Sequence, residues 1–215
     1  MKREENIKRY VQLIIPVIKK TGISQLKMDN VAAYMEISKA TLYKYFSTKD
    51  ELIGTIVDEY ISYFDEGDKI VLDHELDYPS RFIKIFEASL TAAIYISDIF
   101  INDLKKLHPE LYERILEIYR NRANKLEAFI HSGIKDGVFN EIDATLFMMQ
   151  DEVMLRRIID PAFSVQYDMT LKQALFNYYN LKKHQLFKGH LLDTIDETEI
   201  QRLIPYYVQK ISQQI

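Results

Sequence analysis

The 215-residue chain contains no cysteine, and glycine and proline together account for only 11 residues. The absence of cysteine excludes a disulfide framework and cysteine-ligated zinc, and it indicates a reducing compartment. The scarcity of glycine and proline excludes a disordered linker and a turn-rich all-β protein. The charged N-terminus is not followed by an apolar segment, and no uncharged apolar run approaches the length of a membrane span. We therefore expect a cytoplasmic protein that does not contact a membrane.

Positive charge is also scarce overall, since the formal net charge is -4. Its distribution, however, is uneven along the chain. Residues 1–49 contain ten Lys and Arg against four Asp and Glu, a surplus of six positive charges, so the remainder carries about ten net negative charges. A basic N-terminal segment on an acidic remainder predicts that only this segment contacts an anionic polymer such as nucleic acid.

Apolar residues of the N-terminal segment recur at helical spacing. The pattern predicts a helix from Glu5 to Thr21, a short helix from Lys27 to Tyr34 and a second short helix from Ser38 to about Phe46. A long helix follows, and we expect Ser47 to cap it, with Asp50 completing a capping box three residues later.

The rest of the chain is also predicted to be helical, because period-2 alternation is lacking and there is no long repeat. The predicted helices lie near 79–96, 98–106, 109–135, 143–160, 169–187 and 196–213. The fold class is therefore expected to be all-α.

Two short helices joined by a three-residue break, with a basic second helix, form a helix-turn-helix pattern. Short helix pairs are common, but the residues here are more specific. They are Val31-Ala32-Ala33, then Ile37-Ser38-Lys39-Ala40-Thr41-Leu42-Tyr43-Lys44-Tyr45-Phe46, then Ser47-Thr48-Lys49-Asp50-Glu51-Leu52. This stretch resembles the signature of the TetR family of transcriptional regulators: an Ile/Val-Ala pair, a valine-serine turn, a Thr-Leu-Tyr-x-Tyr/His-Phe recognition helix and a Lys-Asp/Glu-x-Leu start to the next helix.

The resemblance implies an N-terminal three-helix helix-turn-helix DNA-binding domain and a C-terminal helical domain for ligand binding and dimerisation. We place the first domain at residues 1–48 and the second at residues 49–215. Gly137-Val138-Phe139, followed by Ile142-Asp143, is similar to the entry to the family's dimerisation helix.

DNA contacts are expected on the second short helix and around it. The candidate DNA-binding residues are Lys27, Ser38, Lys39, Ala40, Thr41, Tyr43, Lys44, Tyr45 and Lys49. The N-terminal part of a recognition helix reaches base edges in the major groove. Lys39 offers donors to guanine, and Ala40 and Thr41 offer methyl contacts to thymine. Tyr43 and the other lysines are suited to phosphates, which position the protein without specifying sequence. For Tyr45, core packing and DNA contact both remain open.

Three residues depart from the family pattern. Lys27 stands where a threonine usually caps the second helix, and Glu36 stands where the turn usually has glycine. If position 36 needs a positive φ, glutamate costs about 1 kcal/mol there. Pro16 lies inside the first helix and is expected to kink it.

The C-terminal domain is rich in aromatic and methionine residues, most of which we expect to be core. The resemblance nevertheless implies a cavity for a small, mainly apolar effector, with tyrosine hydroxyls orienting it. The candidate ligand-binding residues are Phe64, Phe86, Leu90, Phe100, Leu104, Tyr112, Tyr119 and Met148.

A homodimer is expected through the helices near 143–160 and 169–187, which the family uses to build a four-helix bundle. Leu146, Met149, Val153, Met154 and Ile158 fall close to one face and are the candidate dimer residues. Twofold symmetry then presents two recognition helices to two half-sites of a double-stranded DNA operator.

No catalytic or metal-binding motif is apparent. The five histidines lack metal-ligand spacing, and there is no phosphate loop or nucleophile motif. We expect no enzyme activity, no metal and no cofactor. The main alternative is a TetR-like ligand-binding co-regulator without direct operator binding, which Lys27 and Glu36 would fit.

Overall fold

The structure, a computed structural model, describes residues 2–71 and 73–212, and it confirms the all-α fold class. The helices are α1 Lys2–Thr21, α2 Met28–Tyr34, α3 Lys39–Tyr45, α4 Lys49–Val71, α5 Tyr78–Tyr95, α6 Asp98–Leu107, α7 Pro109–Lys135, α8 Ala144–Ile159, α9 Pro161–Tyr167, α10 Leu171–Leu186 and α11 Thr198–Ser212. A 3₁₀-helix covers Gly189–Thr194. Within the described residues, β-structure is limited to one isolated antiparallel bridge between Phe139 and Phe187.

Most helix ends lie within two residues of their predicted positions, but two short elements were not predicted. Pro161 lies between the helices predicted near 143–160 and 169–187, and it occupies the first turn of α9, where its missing N–H is no disadvantage. The side chain of Asp160 caps this helix by accepting a hydrogen bond from the N–H of Ala162. Gly189 lies between the helices predicted near 169–187 and 196–213, and it begins the 3₁₀-helix.

The predicted capping of α4 was wrong by one residue. The hydroxyl of Thr48, not that of Ser47, accepts the N–H of Glu51 at 3.1 Å. The Glu51 carboxylate in turn accepts the hydroxyl and the N–H of Ser47 at 2.6 and 2.7 Å, and these hydrogen bonds lower its pKa. Glu51 therefore takes the reciprocal position that we had assigned to Asp50.

The first helix continues through Pro16, so the proline does not end it. The kink expected there stays a prediction. Helix α1 ends at Thr21, with Lys19 and Lys20 in its last turn, and Gly22 follows with a φ of 75°. This left-handed conformation is the usual helix-terminating role of glycine.

The chain divides into two compact units. The N-terminal unit consists of the described residues up to Asp65 together with Tyr95–Tyr119, and the C-terminal unit of those in Glu66–Ile94 and from Arg120 onward. The helices α4, α5 and α7 each contribute residues to both units. These compact units are not functional domains, and the division into two domains after residue 48 stays a prediction.

In the N-terminal unit, the end of α1 packs against α6. The N–H of Ser24 donates to the Asp103 carboxylate at 2.8 Å. A Cβ at Gly22 would lie 2.4 Å from Asp103 Oδ2 and 2.8 Å from Ile99 Cγ2. A side chain at this position would require Asp103 and Ile99 to shift, so glycine suits both the left-handed backbone conformation and the close approach of α6.

The core of the C-terminal unit contains a buried charged pair between α8 and α10. Lys182 Nζ lies 3.1 Å from Asp151 Oδ1 and 3.2 Å from the centre of the Phe147 ring, and it also donates to the Phe147 carbonyl. The hydroxyl of Tyr178 donates to the same carboxylate at 2.7 Å. Burial lowers the pKa of Lys182, and the charge of Asp151 opposes this shift. The network joins α8 and α10 through contacts in which each charged group has a partner.

Within residues 2–71 and 73–212, no single helix is long and apolar enough to cross a membrane, although α5 and α6 reach that length and composition when taken together as a bent pair. The same residues contain no group of three or more His, Asp or Glu side chains that could hold a metal ion.

Candidate nucleic-acid interface

The helices α2 and α3 form a helix-turn-helix whose inner face is fully apolar. Val31 on α2, Met35 directly after α2, Leu42 on α3 and Phe46 directly after α3 each have at most 1% of their surface exposed. The turn between the helices is closed by the N–H of Ile37, which donates to the Ala32 carbonyl at 2.9 Å. Met35 lies in the break between the two predicted short helices, yet its side chain is buried with the others. This packing fixes which residues of α3 face outward.

The start of α3 is held by two hydroxyls from the predicted DNA-binding set. Ser38 Oγ accepts the N–H of Thr41 at 3.1 Å and lies 2.8 Å from Thr41 Oγ1. Ser38 is therefore the N-cap of α3. Ser38 is exposed and Thr41 is half-buried, so both have a structural role at the end of the helix where base contacts are made.

The outward face of α3 carries the remaining polar candidates. Lys39, Ala40, Tyr43 and Lys44 are exposed, and half of the Tyr43 surface is accessible. Lys39 Nζ lies 2.6 Å from the Asp29 carboxylate of α2. The face thus presents two lysines, a phenol and a methyl group, a combination suited to phosphates and base edges.

Tyr45 is directed toward α1. Its ring contacts Tyr10 edge to face with centroids 5.2 Å apart, and its hydroxyl accepts a hydrogen bond from the Asn6 amide at 3.0 Å. The Arg3 guanidinium lies 6.0 Å from the Tyr45 ring centre. These contacts explain the half-buried state of Tyr45 by packing, while its role at DNA stays a prediction.

Two other predicted lysines lie at helix starts. Lys27 precedes α2 in extended conformation, is exposed, and makes no side-chain capping hydrogen bond, as expected from the loss of the usual threonine. Lys49 is the first residue of α4 and is half-buried. Both lie at helix N-termini, where the helix dipole favours a negatively charged partner.

Glu36 in the turn has a φ of 56°, so the glutamate occupies a left-handed conformation that favours glycine. Its side chain is exposed. The strain expected from the sequence at this position is therefore present, and the turn carries a negative charge.

The predicted ligand-binding residues divide between the two units. Phe64, Phe100, Leu104, Tyr112 and Tyr119 belong to the N-terminal unit, whereas Phe86, Leu90 and Met148 belong to the C-terminal unit. Within the first group, the rings of Phe64 and Tyr119 meet edge to face at 5.6 Å.

Tyr60, outside the predicted ligand-binding set, joins Phe100 edge to face at 5.4 Å. The Tyr60 hydroxyl donates to the Tyr95 carbonyl at 2.9 Å, and burial raises its pKa, so the phenol stays protonated. The ligand-binding role of the whole set stays a prediction.

The predicted dimer residues are exposed with one exception. Leu146, Met149 and Val153 have 61, 52 and 63% of their surfaces exposed, and Met154 has 38%. Ile158 is only 3% exposed and packs inside the chain. The exposed members of α8 thus form an apolar stripe, and Ile158 lies on the inner side of the same helix.

Comparison with known proteins identifies the N-terminal region. Residues 15–56, from within α1 to within α4, match the model for bacterial regulatory proteins of the tetR family. The chain is 22% identical over 187 residues to the uncharacterized HTH-type transcriptional regulator YvaF of Bacillus subtilis (strain 168). The aligned residues cover 86% of this chain and 96% of that protein.

Two solved structures show the same fold. The ketosteroid transcriptional regulator KstR2 of Mycobacterium tuberculosis superposes with a TM-score of 0.64 and 16% identity, covering 88% of this chain and 96% of that one. AibR in complex with isovaleryl coenzyme A and operator DNA gives a TM-score of 0.60 and 16% identity, covering 82% of this chain and 97% of that one.

The buried seam between α2 and α3 and the basic outer face of α3 define a helix-turn-helix DNA-binding protein. More particularly, residues 15–56 match the model of the tetR family of bacterial regulatory proteins, which confirms the predicted resemblance of this region to the TetR family. This family consists of regulators, and none of the comparisons points to catalysis.

Proposed function

We propose that the chain is a homodimeric repressor that binds a pseudo-palindromic operator through α3 and leaves it when a small, mainly apolar effector binds. The observation that carries the proposal is the pairing of a rigid inner face on α3 with an exposed outer face bearing Lys39, Tyr43 and Lys44. A fixed helix with outward donors is what major-groove reading requires.

Each DNA contact has a proposed role. In this proposal Lys39, at the N-terminal end of α3, donates to guanine, and Ala40 offers a methyl contact to thymine. Tyr43 and Lys44, together with Lys27 and Lys49 at helix starts, bind phosphates and set the position of α3 in the groove. The surplus of six positive charges in residues 1–49 favours DNA binding at this end of an otherwise acidic chain.

The proposed dimer rests on the exposed stripe of α8. Leu146, Met149 and Val153 follow one another at spacings of three and four residues, so their side chains share one face. Leu181 on α10 is also 52% exposed. Burying such residues against a second copy removes apolar surface from water, and a twofold dimer supplies the two recognition helices that a pseudo-palindrome needs.

The proposed effector is small and mainly apolar because the candidate site residues are aromatic or aliphatic. AibR was solved with isovaleryl coenzyme A and operator DNA, and KstR2 is named for ketosteroids, so relatives of this fold are associated with effectors that have an apolar part. Release from DNA requires that the effector bind the DNA-incompetent state more tightly, and a difference of about 1–3 kcal/mol gives roughly 5- to 150-fold release.

The second candidate is a TetR-like co-regulator that binds a ligand without contacting an operator. The exposed, left-handed Glu36 favours it, because a negative charge in the turn opposes DNA phosphates. The exposed basic face of α3 favours the repressor instead.

A mobility-shift assay separates the two candidates. The full-length protein is titrated against duplex DNA from upstream of its own gene, with excess random-sequence DNA as competitor. The repressor is expected to retain a discrete complex under competition. Complete loss of that complex, together with failure to enrich any sequence from a random duplex library, would favour the co-regulator. Apolar compounds that raise the melting temperature are then added to the retained complex, and a true effector should dissociate it.

A further inference from the structure

The outward face of the helix-turn-helix contains an ion pair between its two helices. Asp29, in the first turn of α2, lies 2.6 Å from Lys39, the first residue of α3. The Asp29 side chain is 71% exposed and the Lys39 side chain is 62% exposed. The pair therefore stands in solvent on the surface where DNA contacts are proposed.

This pair has little effect on folding. Exposed ion pairs contribute about 0–1 kcal/mol to stability, because water screens them and two mobile side chains must be ordered. Its consequences at a DNA surface are larger. A carboxylate near the phosphate backbone repels it, and a lysine already held by that carboxylate adds little attraction.

Both groups are charged at neutral pH. The hydrogen bond from Lys39 and its positive charge lower the pKa of Asp29, and the same contact raises the pKa of Lys39. A DNA acceptor that binds Lys39 must therefore compete with the Asp29 carboxylate, which lies 2.6 Å from the ammonium group. Guanine offers two acceptors, O6 and N7, at one position in the major groove, and a lysine that contacts both gains a strong interaction.

We propose that Asp29 is a specificity-determining residue. Lys39 stays paired with Asp29 when the protein binds random DNA, and it exchanges this ion pair for a contact with a guanine when the protein binds the operator. On random DNA, Lys39 stays paired and contributes no phosphate contact, so non-specific binding is weakened. On the operator, the base contact offsets the lost ion pair. This inference rests on the proposed operator binding.

The test compares Asp29→Asn with a matched variant, Asp58→Asn. Asp58 forms an equally short exposed pair with Arg114, at 2.6 Å, with 61 and 46% of the two side chains exposed. Both variants remove one negative charge and one exposed ion pair from the N-terminal unit, but only Asp29 is on the helix-turn-helix. Fluorescence anisotropy measures Kd for a duplex selected by the wild-type protein from a random library and for a scrambled duplex of equal composition.

Asp29→Asn is expected to bind scrambled DNA about fivefold more tightly than Asp58→Asn, because one more lysine becomes available to phosphates. The slope of log Kd against log salt on scrambled DNA should steepen by about 0.9. The ratio of scrambled to selected Kd should fall. In the double variant Asp29→Asn/Lys39→Gln, the gain on scrambled DNA should largely disappear, since it depends on Lys39.

The proposal is overturned if the two asparagine variants behave alike on scrambled DNA, or if the gain persists in full without Lys39. It is also overturned if Asp29→Asn loses affinity only for the selected duplex, because Asp29 would then contact the operator itself. Failure of the proposed function gives a different result: the wild-type protein would show no preference for any selected duplex. Thermal unfolding of both variants checks that the fold is retained.

Discussion

Glu36 lies in the turn of the helix-turn-helix, in a backbone conformation that is unfavourable for a residue with a side chain. Its φ of 56° lies in the left-handed region, where a residue with a Cβ pays a steric cost that glycine does not. The buried seam formed by Met35 on one side of the turn and Leu42 on the other holds the backbone in place. The strain therefore persists because packing outweighs it.

We predict that Glu36→Gly raises the free energy of unfolding by about 1 kcal/mol, since glycine adopts this conformation without strain. Urea denaturation measures the change. Glu36→Gln is the control, because it removes the charge and keeps the Cβ. Both variants should bind DNA more tightly if the turn faces the phosphates. Equal stability of the Gly and Gln variants would contradict the account of strain.

Single residues were predictable from the sequence where the cause is local. The cap formed by Ser38 and the burial of Leu42 and Phe46 follow from residues a few positions apart. The packing of Tyr45 against Tyr10 does not, because it depends on how α3 meets α1 in three dimensions. The Asp29–Lys39 pair escaped prediction for the same reason, as it joins two helices across a turn.

Between elements, the contact of the α1 end with α6 depends on Gly22. We predict that Gly22→Ala lowers the free energy of unfolding by about 2 kcal/mol. The new Cβ must occupy a left-handed backbone position and displace the Asp103 carboxylate, which accepts the Ser24 N–H. Chemical denaturation gives the size of the loss.

Gly54 provides the matched control for this prediction. It lies inside α4, and a Cβ there meets nothing within 4 Å. Gly54→Ala should stabilise the protein by about 1 kcal/mol through helix propensity alone. If Gly22→Ala stabilised the protein as Gly54→Ala is expected to do, the close approach of α6 to Gly22 would have no energetic importance.

The buried pair between α8 and α10 leads to another element-scale prediction. Lys182→Met should cost about 3 kcal/mol, because Asp151 keeps its charge in a buried site with only the Tyr178 hydroxyl as a partner. The double variant Lys182→Met/Asp151→Leu should recover much of the loss, since no charge then remains buried. A double variant less stable than the single one would show that the pair itself stabilises the contact between α8 and α10.

Helix positions were predictable because apolar residues recur along each helix, but helix ends were less so. Ends depend on single hydrogen bonds, as Thr48 shows by capping α4 in place of Ser47. Pro161 has the same ambiguity, because proline both ends helices and begins them. Which apolar residues of α8 are exposed could not be predicted from the sequence, because the buried Ile158 and the exposed Met149 are both apolar.

For the whole molecule, the exposed stripe on α8 predicts the oligomeric state. Met149→Glu should shift the protein from dimer to monomer, because it places a charge in the proposed apolar contact between two copies. Leu107→Glu on α6 is the control, since Leu107 is 50% exposed and Met149 52%. Sedimentation at micromolar concentration should show a dimer for wild type and the Leu107 variant. A wild-type monomer would contradict the proposal.

Specific DNA binding through α3 is the central claim, and the equilibrium Kd for a selected duplex tests it most directly. The wild-type protein should bind that duplex about a thousandfold or more tightly than scrambled DNA. Tyr43→Ala/Lys44→Ala should weaken binding to both duplexes by similar factors and reduce the salt slope by about 1, because phosphate contacts are lost. Tyr206→Ala, which removes a tyrosine 56% exposed on α11, should bind as wild type does. Unchanged affinity of the Tyr43/Lys44 variant for the selected duplex would contradict the assignment of α3 as the recognition helix.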